Sequence, residues 1–318
     1  VSYESKKTNY YEICQLDTLF LTLKNYVTDD VTITSKTTSS QTKQVYKVDE
    51  TKKALFNTTG DMLKFDAGIY VKDYGGDNGV KSVSLRGLSS ENTIVLFNEA
   101  RINDLRTGMF DFSLISPLVI NKMEVYKNTD FNGSNISEGG IIKLVSGDNI
   151  TENKLLAGLK TNTDNLFSGF LNVERVAGNF SYAINFERSY SSNNYDYSFE
   201  GKDYDRKNAF FSKYFVSSTV AYKNSFNVLK AYFHLTELNS GIPGFVVTNN
   251  TQSSQASNNS RSMLAILTDD LQISNSISLL SMLSFNKQNL KLKDPYMQIF
   301  SNKTEQKSLL NDFSGKFK

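Results

Sequence analysis

Four carboxylates fall within one short segment: Asp196, Glu200, Asp203 and Asp205. Hard oxygen ligands at this density suit Ca²⁺, so a Ca²⁺ site here is one expectation. Their irregular spacing fits a solvated acidic loop as well. The chain has one histidine, His234, and one cysteine, Cys14. A single imidazole makes a poor metal site. A single thiol cannot form an intramolecular disulfide, and Cys14 reads as a small buried hydrophobe in a strand. No nucleophile–base pair, phosphate loop or Cys/His cluster occurs, so no enzyme is expected and no resident cofactor beyond that Ca²⁺. A different chemistry is offered by Asp29–Ser35, a short β-branched stretch beside a Ser/Thr/Gln/Lys run. An extended segment of this kind can add a strand to the edge of a partner's sheet.

The elements that must position these residues are strands. Net charge is +2, and no basic cluster of the kind a phosphate backbone attracts is present, so no nucleic-acid partner is expected. Aromatics make up 12%, from 22 Phe and 17 Tyr, while the mean hydropathy is −0.37. A transmembrane β-barrel reconciles the two values, because one face of each strand meets lipid and the other a polar lumen. No apolar run is long enough for a transmembrane helix.

From residue 154 onward, apolar and polar residues alternate. Phe180, Tyr182, Ile184 and Phe186 share one face, and Asn179, Ser181, Ala183 and Asn185 the other. Leu229, Ala231, Phe233 and Leu235 oppose Lys230, Tyr232 and His234, which places His234 on the lumen side. Strands are predicted at 154–162, 166–176, 178–189, 209–223, 225–238, 262–271, 275–287 and 305–318. Short turns near 176–178, 223–225 and 271–275 alternate with long loops at 190–208, 239–261 and 288–304. Short turns on one rim and long loops on the other mark an outer-membrane barrel.

Before the barrel, residues 35–47 read as a flexible linker and Lys52–Leu63 as a short helix. Val80–Leu85, Thr93–Phe97 and Lys122–Tyr126 read as strands punctuated by glycines. Eight strands enclose only side chains, so a preceding unit of about a hundred residues would not fit inside them. The expectation is a fragment of a wider barrel. The fold class is therefore mainly β: a small α+β plug followed by the first strands of a large antiparallel barrel.

Residues 80–145 resemble the plug of TonB-dependent outer-membrane receptors. The resemblance rests on Val83-Ser84-Leu85-Arg86-Gly87, Thr93-Ile94-Val95-Leu96-Phe97, Met123-Glu124-Val125 and the closing Phe131–Ile142, with Gly139-Gly140. Two departures occur. Asn98-Glu99 stands where the family has Asp-Gly, and Lys127-Asn128-Thr129 where it has Arg-Gly-Pro. Residues 1–28 are similar to the last strands of a carboxypeptidase-regulatory-like sandwich, and some barrel segments resemble cobalamin-receptor-like members.

The resemblance implies four parts: 1–28, the end of that sandwich; 29–47, a TonB box and linker; 48–148, the plug; and 149–318, the first barrel strands. It implies a receptor in the cell outer membrane, with the lipid bilayer around it, that actively takes up a scarce nutrient or metal chelate such as cobalamin, a ferric siderophore or haem. Asp30, Val31, Thr32, Ile33 and Thr34 would form the box, paired by a TonB-type energy transducer. Arg86 and Glu124 would lock plug to barrel. Tyr74, Arg101, Arg106 and Phe110 would meet ligand at the plug apices. A soluble secreted β-rich glycan-binding protein, or a surface receptor that signals without transport, are the alternatives.

Overall fold

The structure, a computed structural model, describes residues 43–64, 68–74, 79–104, 106–127, 130–131, 135–136, 138–147, 150–162, 165–199, 201–243, 254–274, 277–296 and 305–317. Cys14, the segment 1–28, the box residues Asp30–Thr34 and Glu200 lie outside these residues.

The first unit starts earlier than its composition suggests. Residues 43–47, read from sequence as the end of a linker, form strand β1 (Lys43–Lys47). Two short helices follow, α1 (Glu50–Leu55) and α2 (Thr59–Leu63), in place of the one predicted helix. The break is local chemistry. Phe56 caps α1 in an extended conformation, and Thr58 and Asp61 form a reciprocal capping box that starts a new helix. Then come β2 (Ile69–Asp73), β3 (Lys81–Leu85), β4 (Thr93–Phe97), β5 (Ala100–Arg101), β6 (Lys122–Tyr126), β7 (Asp130–Phe131), β8 (Asn135–Ile136) and β9 (Gly140–Val145).

Five of these strands make one sheet in the order β1-β6-β9-β4-β5, with β4 and β9 parallel and the other pairs antiparallel. Its interior is apolar, with Leu85, Phe97, Ile120, Val125 and Ile142 fully buried. The Gly139-Gly140 pair lets β9 enter. A Cβ at Gly139 would lie 2.6 Å from the Asn92 carbonyl oxygen. At Gly140, where φ is +121°, it would lie 2.5 Å from that of Tyr126. Asn98 and Glu99 both have positive φ, the geometry of a type I′ turn, so the β4–β5 hairpin forms without the Asp-Gly of the family pattern.

The second unit is one antiparallel sheet of eight strands: β10 (Lys154–Thr161), β11 (Phe167–Ala177), β12 (Phe180–Ser191), β15 (Phe211–Lys223), β16 (Asn227–Gly241), β17 (Ser257–Ser274), β18 (Ile277–Lys293) and β19 (Glu305–Phe317). Its burial is inverted relative to a soluble sheet. Along β12, Phe180, Tyr182, Ile184, Phe186 and Tyr190 are exposed, while Asn185, Glu187, Ser189 and Ser191 are buried. The buried polar groups satisfy one another. Ser168 and Ser189 hydroxyls lie 2.8 Å apart, Asn172 Nδ2 donates to Asn185 Oδ1 at 2.6 Å, and Asn185 Nδ2 donates to Ser217 Oγ at 3.0 Å.

The long connections are shorter than their composition implies. A hairpin of β13 (Tyr195–Phe199) and β14 (Lys202–Arg206) occupies most of 190–208. β17 begins at Ser257, and β18 runs to Lys293. In both cases polar residues extend the ladder beyond the apolar stretch.

Candidate functional site

The first unit sits on the polar side of the eight-stranded sheet. The contact is built from residues far apart in sequence. The hydroxyl of Ser116, ahead of a 3₁₀ turn at Pro117–Val119, donates to Glu187 of β12. Lys213 of β15, almost fully buried, lies 3.7 Å from the same carboxylate, and Ser189 Oγ donates to it at 3.1 Å. Thr236 Oγ1 donates to the Leu114 carbonyl at 2.8 Å, and Lys160 Nζ to that of Phe56 at 2.8 Å. Lys154 pairs with Glu50 of α1 at 3.0 Å. Apolar packing closes the centre. Phe97 meets Tyr232 at 4.5 Å between ring centroids, and His234 lies against Phe97 and Phe215. His234 therefore faces inward as its strand periodicity predicts, packed among rings.

At the end of the sheet that carries the long connections, a cavity of about 990 Å³ opens between the first unit and the strand ends. Tyr74, Arg106 and Phe110 line it. Arg101 does not; it sits exposed on β5. The opposite wall comes from Tyr195 and Arg206 of the β13–β14 hairpin, and from Asn258, Ser260 and Gln288.

Arg106 is already neutralised by Asp104, with Nε to Oδ1 at 3.0 Å and Nη2 to Oδ2 completing a fork. Against the effect of burial, that fork holds the Asp104 carboxyl below the usual carboxylate range. Arg206 has no ion-pair partner among the described residues, so it is the cation the cavity presents. Sequence reasoning missed it, since only the hairpin register brings it opposite Tyr195.

The two apical segments are tied together beneath the cavity. Asp111 accepts from the backbone N–H of Lys81 at 3.0 Å and of Ser113 at 2.9 Å, and the Phe112 N–H donates to the Lys81 carbonyl at 2.8 Å. Loss of solvation raises the partly buried Asp111 carboxyl above its ordinary value. The Lys81 ammonium bridges Asp61 at 3.0 Å and Asp73 at 2.8 Å, and Lys64 bridges the same two carboxylates at 2.9 Å each. The floor of the cavity is thus a cross-linked platform, not a loose pair of loops.

The expected lock residues lie elsewhere. Arg86, with φ of 58°, is exposed and donates to the Lys127 carbonyl at 3.1 Å. It meets no carboxylate of the eight-stranded sheet among the described residues, because the turn that ends β3 directs it across its own unit. Glu124 also pairs within its unit, with Lys43 and Lys122 at 3.0 Å each and the Tyr126 hydroxyl at 2.7 Å. Burial opposes its ionisation, but these three donors hold its carboxyl down to about 2.

Of the four carboxylates read as a Ca²⁺ set, Glu200 lies outside the described residues. Register places Asp196, Asp203 and Asp205 on one face of the β13–β14 ribbon, yet no group of three metal-ligating side chains forms among the described residues. Ser198 occupies Asp203 at 2.5 Å, and Lys207 sits 3.4 Å from Asp205.

Comparison with known proteins follows this division. Residues 35–140 match the family model described as TonB-dependent Receptor Plug Domain. The Vitamin B12 transporter BtuB of Vibrio vulnificus (strain YJ016) is 36% identical over 70 residues, 22% of this chain and 11% of that protein. Among solved structures, the FrpB iron transporter from Neisseria meningitidis is similar with a TM-score of 0.68 at 13% identity, over 86% of this chain and 45% of that one. The siderophore receptor PiuA from Acinetobacter baumannii gives 0.60 at 13%, over 79% and 37%. The chain spans less than half the length of each of these proteins.

Proposed function

We propose, since this chain belongs to the TonB-dependent receptors of the outer membrane and is no enzyme, that it takes part in active uptake of a scarce nutrient across that membrane. The observation that carries the reading is the placement of the cavity. It opens at the long-loop end, has the plug as its floor, and is walled by strands whose outer faces are apolar. A ligand seated there touches plug and barrel at once.

A volume of about 990 Å³ is at the upper end of small-molecule sites. The lining offers the rings of Tyr74, Phe110 and Tyr195, several amides, and the unneutralised guanidinium of Arg206. This suits a bulky ligand with planar or anionic surface. A ferric siderophore, haem or a corrinoid meets that description. A TonB-type transducer would add Asp30–Thr34 as a strand to its own sheet and pull on the chain that leads into β1. In this reading 1–28 is a preceding sandwich remnant, 29–47 the box and its tether, 48–148 the plug, and 149–318 barrel.

The test separates binding from transport. Deleting residues 29–35 should abolish energy-dependent accumulation of labelled ferric siderophore or cobalamin by cells, and leave surface binding of the same ligand intact. Accumulation that survives the deletion removes the box assignment. Loss of both would mean that the segment builds the site.

A further inference from the structure

On the outward face of the eight-stranded sheet, one arginine is held in a way that a solvated charge is not. Arg188 of β12 is flanked by Tyr190 and faces Tyr214 of β15. Its guanidinium carbon sits 3.9 Å above the centre of the Tyr214 ring, a close cation–π contact. One nitrogen, Nη1, makes all of its hydrogen bonds, to the Ser189 carbonyl at 2.9 Å, Ser212 Oγ at 2.8 Å and the Lys213 carbonyl at 3.2 Å. The donors on Nε and Nη2 have no partner among the described residues. The group is fixed in orientation and half its fork is open.

The height of this residue decides what it meets. Phe180, Tyr182 and Tyr222 form an aromatic row at the short-turn end, and Phe167, Tyr190 and Tyr214 one at the long-loop end. Phe180 and Tyr190 are ten residues apart on β12, which is roughly 33 Å along a strand. At a tilt of about 40° that becomes about 25 Å, the height of the apolar band of an outer-membrane barrel. Arg188 therefore stands in the girdle on the long-loop side, where lipid headgroups lie. Across the same row, Tyr214 is opposite Glu237 and Glu237 opposite Arg261, so charged residues continue the row over the next two strands.

We propose that Arg188, stacked on Tyr214, is a binding site for the phosphate of an anionic lipid in the outer leaflet. A planar fork with two open donors matches phosphate oxygens, and the neighbouring rings of Phe167 and Tyr190 suit the acyl and sugar portions of such a lipid. The proposal does not depend on the uptake reading.

Native mass spectrometry tests it on the protein extracted from outer membranes in detergent and titrated with a bisphosphorylated glycolipid. A one-lipid adduct is expected. Arg188→Gln should weaken it about tenfold, the scale of a charge-assisted hydrogen bond. Arg188→Lys, which keeps charge but loses the fork, should weaken it less, and it carries the test if Arg188→Gln fails to assemble. Arg175→Gln, on the outward face at the opposite girdle, should leave the adduct unchanged. Undiminished adduct in both Arg188 variants, equal loss in Arg175→Gln, or full displacement by inorganic phosphate would each overturn the lipid site.

Discussion

Asp111 shows how a single partly buried carboxylate shapes the cavity floor. Its oxygen receives two backbone donors from different apical segments, and those N–H groups would be orphaned without it. Asp111→Leu should therefore destabilise the plug by about 1–3 kcal/mol for each donor left unpaired. Asp111→Asn keeps an acceptor and removes a charge that burial disfavours, so it should be neutral or stabilising. The pH dependence has a definite sign. The folded carboxyl is raised above its unfolded value of 3.8, so Asp111 favours the fold most at acid pH. Its contribution falls as pH rises past 3.8 and levels off above the folded value. Thermal melts of the wild type and Asp111→Asn across pH should differ by that slope, and parallel curves would remove the argument. No sequence pattern singles out Asp111, Ser116 or Glu187, because each gains its role from partners brought close by topology. Ser116 and Glu187 are 71 residues apart. Tyr74, Arg106 and Phe110, which line the cavity, were singled out by a resemblance and not by any pattern of their own.

In the proposed uptake reading, β1 is the first described element that a pull on the preceding chain would reach. Among the described residues it is an edge strand, paired only with β6. Beyond its ladder it is fastened by Lys43 to Glu124, which also gathers Lys122 and Tyr126. Glu124 is depressed from its ordinary 4.5 to about 2. The stabilisation is therefore complete above about pH 4.5 and is lost as pH falls toward 2. The protection factors of the 43–47 amides, exchange rates taken relative to the intrinsic rate at each pH, should fall over that window, with β9 protected throughout. Glu124→Gln should give faster exchange in 43–47 already at neutral pH. Exchange in β1 that ignores both changes would mean that the ladder alone holds it. The sequence reading missed this strand because Lys43-Gln44-Val45-Tyr46-Lys47 continues a run of polar residues, and an edge strand needs little apolar surface. The barrel strands were legible because period-two alternation is their whole pattern. Their ends were not, since Asn258, Asn259 and Ser260 look like loop until a neighbour supplies the ladder.

At the scale of the molecule, the eight-stranded sheet reverses the usual rule of burial, and adjacent residues on one strand must then answer to opposite solvents. Ile184 lies close to midway between the two aromatic rows, points outward and is half exposed, while Asn185 points inward and is buried in the amide and hydroxyl ladder. In a bilayer, Ile184→Arg puts a charge near the hydrocarbon midplane at a cost of about 2–4 kcal/mol. Asn185→Leu strands Asn172 and Ser217 without their partner and costs about 1–3 kcal/mol for each group left unsatisfied. Both should lower the urea midpoint in lipid vesicles and the folded fraction in outer membranes, read as heat-modifiable mobility on a gel. A soluble β-rich protein with the same fold would respond differently. There Ile184→Arg replaces an exposed apolar side chain with a charge, which is tolerated or improves solubility. The two variants thus separate the membrane placement from the soluble alternative. Loss in both requires lipid outside and a satisfied amide and hydroxyl ladder inside, whereas loss in Asn185→Leu alone would leave the outward face in water.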